Sequence, residues 1–288
     1  MNSLLFVYGT LRKHEKNHHL LAQSACINEQ ARTKGCLFAA KEGPAAIFED
    51  EGYICGEVYE ADELCVHKLD QFFQGYDKQT VLVETDTGIK KALIYFMNKD
   101  KCAGFPKINS GDWKEHHMIS KSQNPVYYFA YGSCMDNARF QKAGVDHYFQ
   151  DPVGRAVLKG YTTRFTLKRE DGSRADMMED GGTTEGVLYR IPFSALSYLY
   201  KREGVESLTY RPAFVDVEAG GRLYTDCLTF LVLQKEAETA PPQHYQIEIE
   251  RGAELYLSPG FADKLKRHMN SLPKVNEINT VTKEYDKI

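Results

Sequence analysis

One echo constrains this chain more than any other feature. The word FVYGT at residues 6–10 returns as FAYGS at residues 129–133, each a short apolar β-type run ending in Tyr-Gly and a small hydroxyl residue. The likeness does not stop there. After LLFVYG come Gly-bearing turns and an extended stretch, then GEVYEADELCVHKLDQF from Gly56; after YYFAYG a similar interval leads to GVLYRIPFSALSYLYKR from Gly186. Runs ending in Tyr59 and Tyr189 pass into segments with helical spacing, with members Leu64, Cys65, Lys68 and Leu69 in one unit, and Leu196, Leu199 and Tyr200 in the other. Strand-like TVLVET and AFVDVE follow. Preserved order and offset over such a distance imply duplication of one domain, since the period is far too long for a solenoid.

A chain of 288 residues has room for two cores. The polar SKSQNP at residues 120–125 is the expected join, giving domains at 1–120 and 126–274, with 275–288 a polar tail lacking periodicity. In the second unit Pro241 and Pro242 stand where helices begin, with Tyr245 one turn in, and Ser258 followed by Pro259 predicts another helix start. Helices alternate with strands, yet VLVETDTGIKKALIYF and AFVDVEAGGRLYTDCLTFLV read as hairpins, so the sheets are expected to be mixed or antiparallel. The expected class is α+β: two tandem domains, each a small curved sheet or barrel with flanking helices.

A formal charge of −4 with scattered Lys and Arg gives no reason to expect a nucleic-acid or anionic-membrane partner. No apolar run approaches the roughly 20 residues of a membrane span, and the N-terminus lacks a secretory pattern. Cys26, Cys36, Cys55, Cys65, Cys102, Cys134 and Cys227 are odd in number and contain no C-x-x-C pair, which suggests packed free thiols and a cytoplasmic protein rather than a disulfide or metal framework.

Two features carry chemistry. A strand running straight into Tyr-Gly-Ser places several backbone N–H groups at a sharp turn, where glycine permits an uncommon conformation and lets a ligand approach the main chain. The second is Glu203 in YKREGV, at the end of a helix predicted over 193–202. The negative end of the helix dipole, with partial burial beside Tyr200 and Val205, favours a raised pKa and proton transfer near neutrality. On these patterns taken alone, a plain turn and a solvated Glu paired with Lys201 or Arg202 are the commoner outcomes.

YYFAYGSCM, then GVLYRI, LYKREGV and YRP, then APPQHYQIEIERGA, resemble the γ-glutamylcyclotransferase family, whose pattern runs Tyr-Gly-Ser-Asn, Leu-Asp-x-x-Glu-Gly-Val, and Pro-Ser-x-x-Tyr before Gly-Ala. FVYGTLRK, NHHLL, GEVYEAD and LDQFFQGY in residues 4–118 are similar to the γ-glutamylamine cyclotransferase and AIG2-like branch. The resemblance implies that Tyr128, Phe129, Ala130, Tyr131, Gly132 and Ser133 hold a small γ-glutamyl substrate. It implies that Glu203 shuttles a proton while the α-amine closes a lactam and the amine leaves, that Tyr245 orients the site, and that no metal or organic cofactor is needed. By the same resemblance, Tyr8, Gly9, Thr10 and Leu11 could form a corresponding ligand loop in the first half.

The sequence departs from that pattern in several places. Cys134 stands where the family has Asn, and Tyr200 where it has Asp. In the first half Phe73-Gln74-Gly75 replaces the Glu-Gly segment one residue later after Leu69-Asp70, and an amide cannot shuttle a proton unless Asp70 or Asp77 substitutes for it. HEKNH at residues 14–18 formally matches H-E-x-x-H, but it follows a strand-turn, so His14, Glu15 and His18 are not expected to form a zinc site. His116 and His117 are expected at the surface, and Trp113 is expected to pack the closing strand of the first domain. An enzyme and a ligand-binding module both fit these residues.

Overall fold

A computed structural model describes residues 2–41, 43–49 and 51–275; most of the polar tail, from residue 276, lies outside them. The chain divides into two compact units, Met1–Ser122 and Gln123–Ile288.

In the first unit β1 (Ser3–Val7) is followed by β2 (Ala25–Lys34), β3 (Cys36–Ala40), β4 (Gly43–Ile47) and β5 (Tyr53–Ala61). Helix α1 (Glu63–Phe72), β6 (Asp77–Thr85), β7 (Gly88–Phe96), β8 (Lys107–Ile108) and α2 (Trp113–Ser120) complete it. The second unit contains β9 (Val126–Ala130), α3 (Asn137–Lys142), β10 (Pro152–Leu167), β11 (Arg174–Ile191), α4 (Leu196–Glu203), β12 (Tyr210–Ala219), β13 (Arg222–Val232), α5 (Gln243–Tyr256) and α6 (Pro259–Ser271).

Each unit is built on a closed five-stranded barrel, β1-β5-β2-β6-β7 in the first and β9-β11-β10-β12-β13 in the second. All pairings are antiparallel except the closing ones: β1 runs parallel to β7 at Leu5↔Leu93, and β9 parallel to β13 at Tyr128↔Leu228. The two barrels share one strand order and one closure. They also share a local device. Gly56 and Gly186 sit where an added Cβ would lie 2.3 Å from the Val7 carbonyl oxygen and 2.4 Å from that of Ala130, with the rings of Phe6 and Phe129 almost as near. Only a residue without a side chain lets the aromatic ring of the first strand lie over its neighbour.

Apolar residues alternating along the strands fill the interiors: Phe6, Val58, Val83 and Ile94 in the first, Phe129, Phe165, Val187 and Leu228 in the second, each under 3% exposed. The helices begin as their sequences dictate. The Asp62 carboxylate accepts from the Cys65 N–H at 2.7 Å, Asp112 accepts from the Lys114 N–H at 2.8 Å, and the Ser258 hydroxyl accepts from the Phe261 N–H with Pro259 at the first helical position.

Two local expectations differ from the structure, at Leu64 and at the start of α4. Leu64 is 60% exposed while Cys65 and Leu69 carry the buried face of α1, because the barrel covers too narrow an arc of so short a helix to reach Leu64. Trp113 opens α2, which Asp112 caps, and packs against the first barrel's core; its ring lies against those of His116 and His117, and its Nε1–H donates to Glu15 at 3.3 Å. Residues 193–195 form a 3-10 turn, so α4 itself starts at Leu196. Among the described residues no helix is long and apolar enough to cross a membrane.

Candidate active site

Strand β9 leads through Tyr131 and Gly132 into a 3-10 turn at Ser133–Met135, whose leading N–H groups have no partner within the turn. Gly132 has φ −124°, outside the left-handed region, so its value is space rather than conformation. An added Cβ would stand 3.1 Å from Ala175 Cβ and 3.3 Å from the Tyr245 oxygen. The turn is held from behind by α5, where an added Cβ on Gly252 would be 2.5 Å from Met135 Cβ; helix and turn therefore touch backbone to backbone.

Helix α4 brings Glu203 to the same place. Gly204 adopts the left-handed conformation at φ 62°, and the N–H groups of Gly204 and Val205 return to the carbonyls of Lys201 and Tyr200, which stops the helix directly after the glutamate. Glu203 and Arg202 are each 15% exposed and their charged groups lie 3.3 Å apart. The Cys134 thiol donates to Glu203 Oε1 at 3.6 Å and accepts from Arg202 Nε at 3.0 Å, while Arg202 Nη2 donates to the Ser133 hydroxyl at 3.0 Å. Burial raises the Glu203 pKa, opposed by Arg202, the Cys134 hydrogen bond and Arg139. Burial also raises the Cys134 thiol, opposed by Arg202, so the sulfur is a packed hydrogen-bonding group rather than a thiolate nucleophile.

These groups open on a cavity of about 300 Å³ whose walls include Tyr128, Tyr131, Gly132, Ser133, Cys134, Glu203 and Tyr245. Phe129 and Ala130, at 0% and 1% exposed, serve the barrel core instead and position the turn through the backbone. The tyrosines act as struts. Tyr131 donates to the Phe230 carbonyl at 2.5 Å, Tyr210 donates to the Ala175 carbonyl at 2.7 Å, and the Tyr245 oxygen accepts from the Ala175 N–H at 3.2 Å. Tyr200, in place of the family's Asp, sets its ring edge-on against Phe230 with centroids 5.8 Å apart.

Sequence reading named Arg202 only as a possible surface partner of Glu203 and did not single out Arg139, Arg169, Arg174 or Tyr210; all of these share the cavity wall. Arg202 adjoins Glu203 and could have been suspected; the others come from α3, the β10–β11 hairpin and β12, and no local pattern connects them.

The corresponding turn of the first unit is closed. Gly9 has φ +60°, and an added Cβ would stand 2.0 Å from Pro44 Cγ, because the edge of β4 lies on the turn. Tyr8 donates to the Tyr95 carbonyl at 2.9 Å and accepts from the Ala46 N–H at 3.2 Å, Gly43 abuts the Thr10 methyl, and Leu11 belongs to the core. Gln74 is exposed. Asp70 is bonded to Lys78 and to the Tyr95 hydroxyl, both at 2.6 Å, and these bonds hold its carboxyl below the usual range; Asp77 is exposed at the start of β6. His14 takes a left-handed backbone at φ 67° and His18 opens a separate 3-10 turn, so HEKNH does not place two imidazoles on one α-helical face.

Tandem barrels of one topology, the second bearing a buried carboxyl against a Tyr-Gly-Ser turn, define the class: this chain belongs to the γ-glutamylcyclotransferase-like, AIG2-like family. Residues 5–115 match the family described as γ-glutamyl cyclotransferase, AIG2-like, and residues 183–265 match the AIG2-like family. The chain is 91% identical over 276 residues to YkqA of Bacillus subtilis (strain 168), a match spanning 95% of this chain and all of that protein. It superposes on the crystal structure of YkqA with a TM-score of 0.91 at 87% identity, over 95% of this chain and 100% of the other. A more distant relative is the γ-L-glutamyl-butirosin B γ-glutamyl cyclotransferase of Niallia circulans, 26% identical over 123 residues, or 40% of this chain and 77% of that enzyme.

Proposed function

We propose that the second unit, residues 126–274, catalyses intramolecular cyclisation of a γ-glutamyl amino acid or amine to 5-oxoproline, with Glu203 as the acid/base. The observation that carries this reading is a mostly buried carboxyl of raised pKa in one cavity with the Tyr131-Gly132-Ser133 turn. Glu203 takes a proton from the substrate's α-ammonium, and the freed amine attacks its own γ-carbonyl carbon, forming the C–N bond of a five-membered lactam. As the tetrahedral centre collapses the original amide C–N bond breaks and Glu203 returns the proton to the departing amine; the ring nitrogen gives up its second proton, which the released amine takes to leave as an ammonium, so no external acid or base is consumed. Loop N–H groups at Ser133 and Cys134 face the oxyanion, and holding the substrate folded back converts much of the barrier into binding. Tyr245 braces the wall through its bond to Ala175.

The first unit, residues 1–120, is assigned a structural role, supported by Pro44 over Gly9 and by the exposed amide at Gln74. A cytoplasmic setting is supported by seven free cysteines. The test is release of 5-oxoproline from a panel of γ-glutamyl dipeptides and amines, lost in Glu203→Gln. Ligand binding without release from any member of the panel would leave a binding module on the same fold.

A further inference from the structure

The cavity beside Glu203 is strongly asymmetric in charge. Its walls carry four guanidinium groups, Arg139, Arg169, Arg174 and Arg202, and one carboxylate, Glu203. The α-ammonium of a γ-glutamyl head answers Glu203, and its α-carboxylate answers one cation. Arg139 is tied to Glu248, and Arg202, held beside Glu203, Cys134 and Ser133 where the head would sit, is the cation that answers the head's own α-carboxylate. Arg169 and Arg174 remain, both on the β10–β11 hairpin. Arg169 is exposed and has no carboxylate partner among the described residues. Arg174 is fixed rather than free to swing: it bonds to the Gly172 carbonyl at 2.8 Å and to Asp171, and lies over the Tyr245 ring at 5.1 Å. Asp171 is 48% exposed, a weak competitor for a ligand carboxylate held inside the cavity.

Resting on the cyclotransferase reading, we propose that this site selects substrates whose leaving amine is itself anionic, an amino acid bearing one or preferably two carboxylates, and rejects cationic γ-glutamyl amines. Arg169 and Arg174 receive the carboxylates of the leaving portion. Paired guanidiniums suit planar carboxylates, whereas an ammonium group entering among four guanidiniums meets repulsion. The two hairpin arginines are specificity residues and take no part in the proton transfer.

The experiment uses the full chain and four substrates with the same head: γ-glutamyl-glutamate, γ-glutamyl-glutamine, γ-glutamyl-ethylamide and γ-glutamyl-putrescine. The expected kcat/KM falls in that order, by about tenfold for each carboxylate removed and further for the added cation. Arg169→Gln with Arg174→Gln compresses the range, chiefly through KM for the acidic substrate. Calorimetric binding to the Glu203→Gln protein gives the same ranking independently of turnover, and added salt weakens the acidic substrate most. Turnover with a flat or inverted ranking overturns the anion preference and leaves the cyclotransferase reading. Ranked binding without wild-type turnover does the reverse, and neither binding nor turnover overturns both.

Discussion

The sulfur of Cys134 lies 3.6 Å from Oε1 of Glu203, to which it donates, and 3.0 Å from Nε of Arg202, from which it accepts. A thiol thus bridges the Glu203 carboxyl and the Arg202 guanidinium at the position where the family pattern has Asn. It steadies the carboxyl and favours its ionised form. Cys134→Ala is expected to shift the acid limb of the kcat/KM profile upward and to lower kcat several-fold, while Cys134→Ser keeps most of both. A pH–rate series on the three proteins checks this, and an unmoved acid limb in Cys134→Ala would refute the positioning role.

Under the proposed mechanism Glu203→Gln removes the proton shuttle and should lower 5-oxoproline formation by about 10²-fold or more. It should also stabilise the second unit. The carboxyl has a raised pKa in the folded state, so its favourable contribution is complete below the ordinary carboxylate pKa and is lost as pH rises through the folded value. The substitution therefore gains stability at neutral and alkaline pH, and the gain vanishes in acid. Thermal unfolding of both proteins across pH 4–9 reads the difference, expected at a few degrees near neutrality.

The same titration shapes turnover. Only the ionised carboxylate can take the ammonium proton, so kcat/KM should fall as pH drops through a value above the usual glutamate range. An acid limb at the ordinary carboxylate pKa would show that burial does not govern the group during catalysis.

Gly252→Ala places a methyl 2.5 Å from Met135 Cβ and 2.8 Å from its carbonyl carbon. Backbone on one side cannot yield as a flexible side chain does, so α5 must shift. The expected cost is about 1–3 kcal/mol, with a raised KM because Tyr245 rides on that helix. Denaturant unfolding together with initial rates measures both.

In the first unit Gln74→Ala and Gln74→Glu are each expected to leave the rate within about twofold of wild type, the range of a remote surface change. Restoring a carboxyl there cannot create a site while Pro44 covers Gly9. A gain of activity in Gln74→Glu would show that β4 moves aside.

Much of this was legible in the residues. Glu203 and the Tyr131-Gly132-Ser133 turn stand out because their roles depend on local backbone geometry: a strand ending in a glycine turn, and a short helix stopped by Gly204. The arginines were not legible in the same way. Arg139, Arg169 and Arg174 reach the cavity from segments that local periodicity treats separately. Glycine roles were partly misjudged, since Gly132 is required for space at Ala175 and Tyr245 and not for its φ.

The sequence by itself determined the duplication and the α+β class, because patterns of strand, turn and cap are set by neighbours along the chain; that Glu203 is mostly buried was left open by those patterns and decided by packing. Only the tertiary structure decided that one copy of the turn opens on a cavity and the other lies beneath Pro44. Which surface covers a turn depends on the path of a connection between strands, and that path is chosen by packing across the whole barrel rather than by the residues of the turn.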